Sequence, residues 1–371
     1  MINYYKLYYA LEHAYTSLSR HLPGGYALPP LQVVFELTYR CNLKCQFCYQ
    51  RRQVDHLGVR AADKARELTA DQIKGIIRQT PLWSLIVFTG GEPLLRKDAL
   101  EIITYAARKR RCHIVTNGTY ITPEVAEALV NSGVMSVGVS LDGDKELHDT
   151  VRGIPGTFER ALRAMREVQR VRAAKGRKWP LLNVKTVICH SNVDHLQRIV
   201  AIAEDVQADF CTFQMMNNSI YLSGLMPNDD LSLYAARPEP INDFDLAALE
   251  REWALLIEPR EKKPIIRFIP ALSLDEYAMH YDNRTNPKQY WCQTPWATAN
   301  ISAYGDVFPC LNYCIGSLRT DGLAKVWNNK RFRTFRQALK RNGLFLGCVG
   351  CCDLKGPLAY TQAASGRREW Q

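Results

Sequence analysis

From residue 31 the chain alternates short apolar, β-branched runs with longer stretches whose apolar positions recur at helical spacing. The runs predict strands at 31–38, 83–89, 112–116, 134–140, 181–189 and 209–215. The stretches between them predict helices at about 67–79, 97–109, 122–132, 157–174 and 194–206. Thr69, followed by Asp71 and Gln72, is suited to cap the first of these helices. Repeated β-α units of this length predict a parallel sheet with right-handed crossovers. Six such units make an α/β fold with an open, partial (β/α)6 TIM-like barrel rather than a closed eight-stranded one. Ligand-binding residues in such sheets collect at the C-terminal strand ends, so the loops after the strands form one candidate rim.

The flanks read differently. Residues 2–20 form a Tyr-rich amphipathic pattern that Pro23-Gly24-Gly25 and Pro29-Pro30 bring to an end. Packing across the bottom or side of the main domain is its expected role. Peripheral contact with a membrane surface or a partner peptide is the weaker reading, because basic residues in it are few. The segment 218–244, rich in Pro, Asn and Asp, has the composition of an insertion or lid over the rim. Ser302 to Val307 reads as a hairpin with its turn at Gly305-Asp306, and Leu323 to Leu339 reads as a helix with Trp327 and Phe335 as core candidates.

With 371 residues and 47% hydrophobic content, the chain suits one large domain plus a small one. No N-terminal secretory pattern is present, and no apolar run approaches the roughly 18 residues that span a bilayer. The expectation is a soluble cytoplasmic protein, in which twelve cysteines are better used for metal than for disulfides. The net charge of +11 is concentrated in Arg160, Arg163, Arg166, Arg170, Arg172, Lys175, Arg177 and Lys178, and in Lys330-Arg331-Phe332-Arg333 with Arg336, Lys340 and Arg341. A solvated helix face is the plainer reading; nucleic acid is the alternative, but no recognisable binding module accompanies the charge.

The first strand leads into Cys41-Asn42-Leu43-Lys44-Cys45-Gln46-Phe47-Cys48, three thiols at spacing C-x3-C-x2-C. Thiolates are soft ligands for iron–sulfur clusters or zinc, and both usually take four donors. Three local donors therefore suit a cluster with one open iron, a zinc site that borrows a distant cysteine, or three unligated thiols. After the second strand comes Thr89-Gly90-Gly91-Glu92-Pro93, after the third Thr116-Asn117-Gly118, and after the fourth Ser140-Leu141-Asp142-Gly143, followed by His148-Asp149 and Arg152-Gly153. Paired glycines let a ligand approach the backbone, Glu92 offers a carboxylate to a cationic amine, and Arg152 offers a planar fork to a carboxylate.

In this order the motifs resemble the radical S-adenosylmethionine (SAM) enzymes. The resemblance implies that Cys41, Cys45 and Cys48 hold a 4Fe-4S cluster whose fourth iron takes SAM, with Phe47 beside the last cysteine. It implies reductive cleavage of SAM to a 5′-deoxyadenosyl radical that abstracts a substrate hydrogen. It assigns Gly90, Gly91 and Glu92 to the SAM amino group, and Asn117, Ser140, Asp142 and Arg152 to its ribose and carboxylate. Met215, at the end of the sixth strand, can pack on adenine but reads more simply as core.

A second set of cysteines follows: Cys292, then Gly305 and Cys310, then Cys348-Val349-Gly350-Cys351. The opening C-x12-G-x4-C resembles the C-terminal extension of SPASM/Twitch radical SAM enzymes, whereas the later C-x2-C-x5-C-x3-C run is absent. That departure implies one auxiliary 4Fe-4S cluster on Cys292, Cys310, Cys348 and Cys351, with Cys314 and Cys352 as substitutes and zinc as the rival metal. Cys112, Cys189 and Cys211 fall in predicted strands and read as buried apolar residues.

The expected organisation is thus an N-terminal helical extension (1–30), a partial-barrel core (31–217), an insertion or linker completing the core (218–284), and a small Twitch/SPASM-like iron–sulfur domain (285–371). The resemblance implies an oxidoreductase-type enzyme that draws electrons from a flavodoxin- or ferredoxin-type donor, its auxiliary cluster accepting an electron from the substrate radical. Many peptide maturases of the family carry an N-terminal leader-binding domain. With the first strand at residue 31, none is expected here, which favours a biosynthetic small molecule or lipid over a peptide substrate. A zinc-ribbon nucleic-acid-binding protein accounts for the charge and the later cysteines but not for the rim motifs.

Overall fold

The computed structural model describes residues 4–48, 50, 64–217, 243–257, 264–310 and 313–354. All six predicted strands form: β1 (Gln32–Glu36), β2 (Leu85–Thr89), β3 (Arg111–Thr116), β4 (Ser136–Ser140), β5 (Leu181–Ile188) and β6 (Phe210–Met215). They lie side by side in chain order and parallel. Sequential order with right-handed crossovers places the connecting helices on one face and leaves the other concave.

After the N-terminal helix α1 (Tyr4–His21), the connecting helices are α2 (Ala70–Gln79), α3 (Ala99–Lys109), α4 (Pro123–Ser132), α5 (Lys145–Arg152), α6 (Thr157–Ala174) and α7 (Leu196–Asp205). Thr69 caps α2 as expected, in a capping box with Gln72. Helix α5 is an addition to the predicted elements. Asp144 caps it, its side chain accepting from Leu147 N, and Gly153 ends it at φ +71. The stretch is shorter than the window over which helical periodicity is read.

The sheet also extends beyond the six units. Helix α8 (Leu246–Leu256) leads into a seventh parallel strand, β7 (Ile265–Ile269), on the far side of β6. Both lie inside the stretch expected as insertion or linker; the lid expected at 218–244 falls almost wholly outside the described residues. Helix α9 (Leu274–Tyr281) and the short α10 (Thr294–Ala297) follow. Strand β8 (Thr298–Ile301) then pairs parallel with β1, and β9 (Asp306–Phe308) and β10 (Gly316–Ser317) continue antiparallel. The C-terminal segment thereby joins the core sheet at its β1 edge, giving ten strands in one sheet among the described residues.

The predicted helix 323–339 is two helices, α11 (Leu323–Trp327) and α12 (Lys330–Asn342). Asn329 is extended between them, and its side chain accepts from Phe332 N to cap the second. Trp327 and Phe335 are buried. Arg336, in the second basic run, is buried rather than on a solvated face; it donates to the carbonyls of Pro295 (2.7 Å) and Gly25 (3.3 Å) and to Asn328 Oδ1 (3.0 Å). It thus fastens the stretch before β1 to the C-terminal segment, against which α1 also packs through Ser19, Arg20 and Trp296. Among the described residues, no helix is long and apolar enough to cross a membrane.

Candidate active site

The loop that leaves β1 is held down by backbone contacts from the loop after β2 and the end of α5, and by a side-chain contact from the loop after β3. Gly91 N donates to Thr38 O (2.7 Å) and Glu92 N to Arg40 O (2.9 Å). A Cβ at Gly90, where φ is +134, would stand 2.5 Å from Thr38 O, and one at Gly91 would run into the carbonyl of Arg40. The close approach that these glycines permit within the protein is therefore to the cysteine loop itself. Further along, Lys44 N donates to Arg152 O and Gln46 N to Val151 O, each at 3.0 Å. Asn117 Nδ2 donates to Asn42 Oδ1 (2.9 Å), while Asn42 Nδ2 donates to Thr119 Oγ1 (2.9 Å). Asn42, inside the cysteine motif, escaped sequence reasoning; an amide between two ligand-type cysteines was the signal.

Glu92 is fully buried and accepts from Leu94 N (3.0 Å), Thr116 Oγ1 (2.7 Å) and Asn117 N (2.8 Å). Burial raises its pKa while these donors oppose the rise. Arg152 is buried too, with its Nε 2.5 Å from Asp142 Oδ2 and its Nη1 donating to Cys45 Sγ at 3.6 Å. Its guanidinium also lies 5.5 Å from the Phe47 ring centroid. Burial weakens its charge, but Asp142 and Cys45 more than restore it, so Arg152 stays above the ordinary arginine range.

Asp142 stands behind Arg152, completely buried, with its backbone N–H donating to His148 Nδ1 at 3.1 Å. That hydrogen bond fixes His148 as the neutral Nε2–H tautomer, and burial beside Arg152 pushes its pKa down to about 4. Ser140 is half-buried at the end of β4. Met215 is fully buried, as its core reading expects.

The three loop cysteines sit on this rim, Cys41 exposed and Cys45 and Cys48 half-buried. Partial desolvation, the Glu92 charge and the two other thiols push the Cys41 thiol up to about 11. The donor chemistry fits a thiolate-held cluster: three soft donors within each other's field, beside a guanidinium that offsets charge at Cys45.

In the C-terminal segment Cys292, Cys310, Cys348 and Cys351 are half-buried against the apolar core. Burial, with Cys348 and Asp353 nearby, pushes Cys292 well above the ordinary thiol range. Cys351 is raised by its neighbour Cys352, by burial, and by Asp353 and Cys292. Cys314 points elsewhere, donating to Gly316 O at 3.6 Å, and Cys352 is buried against β6, accepting from Gln214 Nε2 at 3.6 Å. Among the described residues, no three His, Cys, Asp or Glu side chains stand at metal-ligand spacing. Cys112, Cys189 and Cys211 are buried core residues.

The family described as "Radical SAM superfamily" matches residues 35–177, and SPASM, the "Iron-sulfur cluster-binding domain", matches 292–352. An AdoMet-dependent heme synthase of Methanosarcina barkeri is 33% identical over 364 residues, covering 91% of this chain and 93% of that protein. The chain belongs to the radical SAM superfamily. Within it, the C-terminal match places the chain in the SPASM/Twitch subgroup. A radical SAM protein of this subgroup binds SAM and a 4Fe-4S cluster, with further iron–sulfur in the C-terminal domain. An Fe-coproporphyrin III synthase of the same organism is 35% identical over 211 residues, 55% of this chain and 48% of that protein. Streptococcus suis SuiB bound to its precursor peptide SuiA shares the fold at TM-score 0.63 and 18% identity, covering 94% of this chain and 76% of that one. With the family established, the zinc-ribbon reading lapses.

Proposed function

We propose that this radical SAM enzyme is a cytoplasmic oxidoreductase acting on a biosynthetic small molecule of the iron-porphyrin class. In this reading Cys41, Cys45 and Cys48 ligate the SAM-binding cluster, and Cys292, Cys310, Cys348 and Cys351 ligate one auxiliary cluster that accepts an electron. Phe47, Gly90, Gly91, Glu92, Asn117, Ser140 and Arg152 form the SAM site, with Asp142 holding Arg152 in place. The cofactors, when bound, supply hydrogen-abstracting radical chemistry, and the protein positions the substrate for it.

The observation that carries the reading is the Asp142–Arg152–Cys45 chain, in which a buried carboxylate orients a guanidinium onto the sulfur of the central cysteine. Arg152 thereby offsets thiolate charge at the rim, while Glu92 and Asn117 fix the loop that carries it. The substrate class rests on the similarity to the heme synthase along nearly its whole length. A peptide substrate is the second reading, favoured by the fold shared with SuiB in its peptide complex.

The test is anaerobic reconstitution with iron and sulfide counted, then addition of SAM, dithionite and Fe-coproporphyrin III. About eight irons per chain are expected, as two four-iron clusters require, with 5′-deoxyadenosine formed and the porphyrin altered. Cleavage that leaves the porphyrin intact but modifies a precursor-type peptide selects the second reading. Absence of cleavage by fully loaded protein sinks both.

A further inference from the structure

The concave face of the sheet holds a cation that the reading above does not use. Lys185 lies on β5 opposite Ser140 in register and is half-buried there, as are Asn183 and Val187 on the same face. Its aliphatic stem passes over Gly138, where a Cβ would meet Lys185 Cδ at 2.8 Å and His113 Cε1 at 3.2 Å. The missing side chain at Gly138 is what lets the lysine lie across β4 toward β3.

The polar groups around it satisfy one another. His113 Nδ1 lies 2.6 Å from Ser136 Oγ, Thr212 Oγ1 donates to Asn183 Oδ1 at 2.9 Å, and Gln214 Nε2 donates to Cys352 Sγ. Among the described residues Lys185 has neither a hydrogen bond nor a carboxylate; burial lowers its pKa, and the acidic group that opposes the fall is the Cys352 thiol. His113 is no counter-ion to an ammonium in either protonation state; burial and Lys185 push its pKa down to about 3 and hold it neutral. An ammonium desolvated without a partner is costly, and a protein gains nothing structural from it.

We infer that Lys185 anchors a carboxylate of the substrate, on the concave face below the SAM rim. The inference rests on the enzymatic reading above and gives it a recognition element. An ammonium is a compact point charge with three donors, which one carboxylate neutralises one for one. The lysine sits in the middle of an inner strand, so whatever it binds lies inside the barrel. SAM also bears a carboxylate, and the test separates the two sources.

The test uses anaerobic, cluster-loaded protein with benzoate, benzamide and inorganic phosphate as probes, followed by ligand-observed NMR, and with SAM affinity measured in parallel. Benzoate should bind the wild type and Lys185→Arg and bind about tenfold or more weakly to Lys185→Met, as loss of a charge-assisted hydrogen bond implies. Benzamide and SAM should bind all three alike. Several results overturn the inference: no benzoate binding to the wild type, equal benzoate binding to Lys185→Met, or phosphate or benzamide binding as tightly as benzoate. A fall in SAM affinity with Lys185→Met also overturns it, by giving the lysine to SAM.

Should Lys185→Met not fold, Gly138→Ala displaces the lysine stem and must weaken benzoate as well; unchanged binding there is equally fatal. SAM cleavage assayed on the same preparations tells the two failures apart. A wild type that never cleaves SAM fails the enzymatic reading, whereas probe binding that ignores Lys185 in cleaving enzyme fails only the anchor.

Discussion

The two groups of cysteines are housed in opposite ways. Cys41, Cys45 and Cys48 ride on a loop pinned by the backbones after β2 and at the end of α5 and by the Asn42–Asn117 pair, with the Arg152 guanidinium against Cys45. Cys292, Cys348 and Cys351 sit half-buried on the apolar core, and the charged group that bears on Cys292 and Cys351 is the carboxylate Asp353. At the rim Arg152 offsets charge at Cys45 from within the protein, although desolvation and Glu92 raise Cys41, which is left exposed. In the C-terminal segment the protein raises the cost of thiolates, so a metal centre must offset their charge. The first arrangement suits an exchangeable position at one iron; the second suits a closed, fully thiolate-held site.

Removing the central rim cysteine should produce the largest effect. Cys45→Ala should lower SAM cleavage by more than the roughly hundredfold typical of losing an outer partner to a metal site. Its iron content should drop by about four per chain, a four-iron cluster's worth, in the same sample. Arg152→Met strips Asp142 of its counter-ion and leaves a carboxylate buried alone. Such a change typically destabilises by about 3–5 kcal/mol, read here as a lower denaturant midpoint. Adding Asp142→Asn should recover most of that stability without recovering SAM cleavage. A double variant that regained both would show Arg152 to be structural, and the contrast between the two cysteine groups would lose its electrostatic basis.

Much of the rim was legible because its signals are local. The strands β1 to β6 showed as apolar runs, and the C-x3-C-x2-C, Gly90-Gly91-Glu92 and Ser140-Leu141-Asp142 stretches fell at their ends. What stayed hidden depends on contacts between distant residues. That Gly91 makes room for the carbonyl of Arg40, and that Asp142 faces Arg152 rather than the open rim, are facts of packing that no spacing carries. The seventh strand was missed because Ile265–Ile269 follows a polar stretch and is interrupted by Arg267. Helix α5 was missed because the eight residues between Asp144 and Gly153 are fewer than the window over which helical periodicity is read. The break between α11 and α12 comes from one capping asparagine inside a pattern that otherwise stays helical. Lys185 was in plain view as a charge within an apolar strand, but its isolation on the concave face needed the neighbours of β4 and β6.

The smaller effects sharpen the contrast from its other side. Cys351→Ala should cost about four irons, the auxiliary cluster's share, while substrate-free SAM cleavage stays within about threefold of wild type, as separate sites act nearly independently. Cys314→Ala should cost no iron, because the Cys314 thiol is turned to the Gly316 carbonyl, and its neighbours in charge are Asp306 and Arg331 rather than another cysteine. Both variants are read by the same iron count and the same 5′-deoxyadenosine assay. If Cys314→Ala loses iron and Cys351→Ala does not, the fourth auxiliary ligand lies on the hairpin side, and the thiol must turn away from Gly316 to reach it. If Cys351→Ala abolishes cleavage along with its iron, the two cysteine groups are not separate centres, and the rim's own charge compensation by Arg152 is insufficient to sustain the reaction.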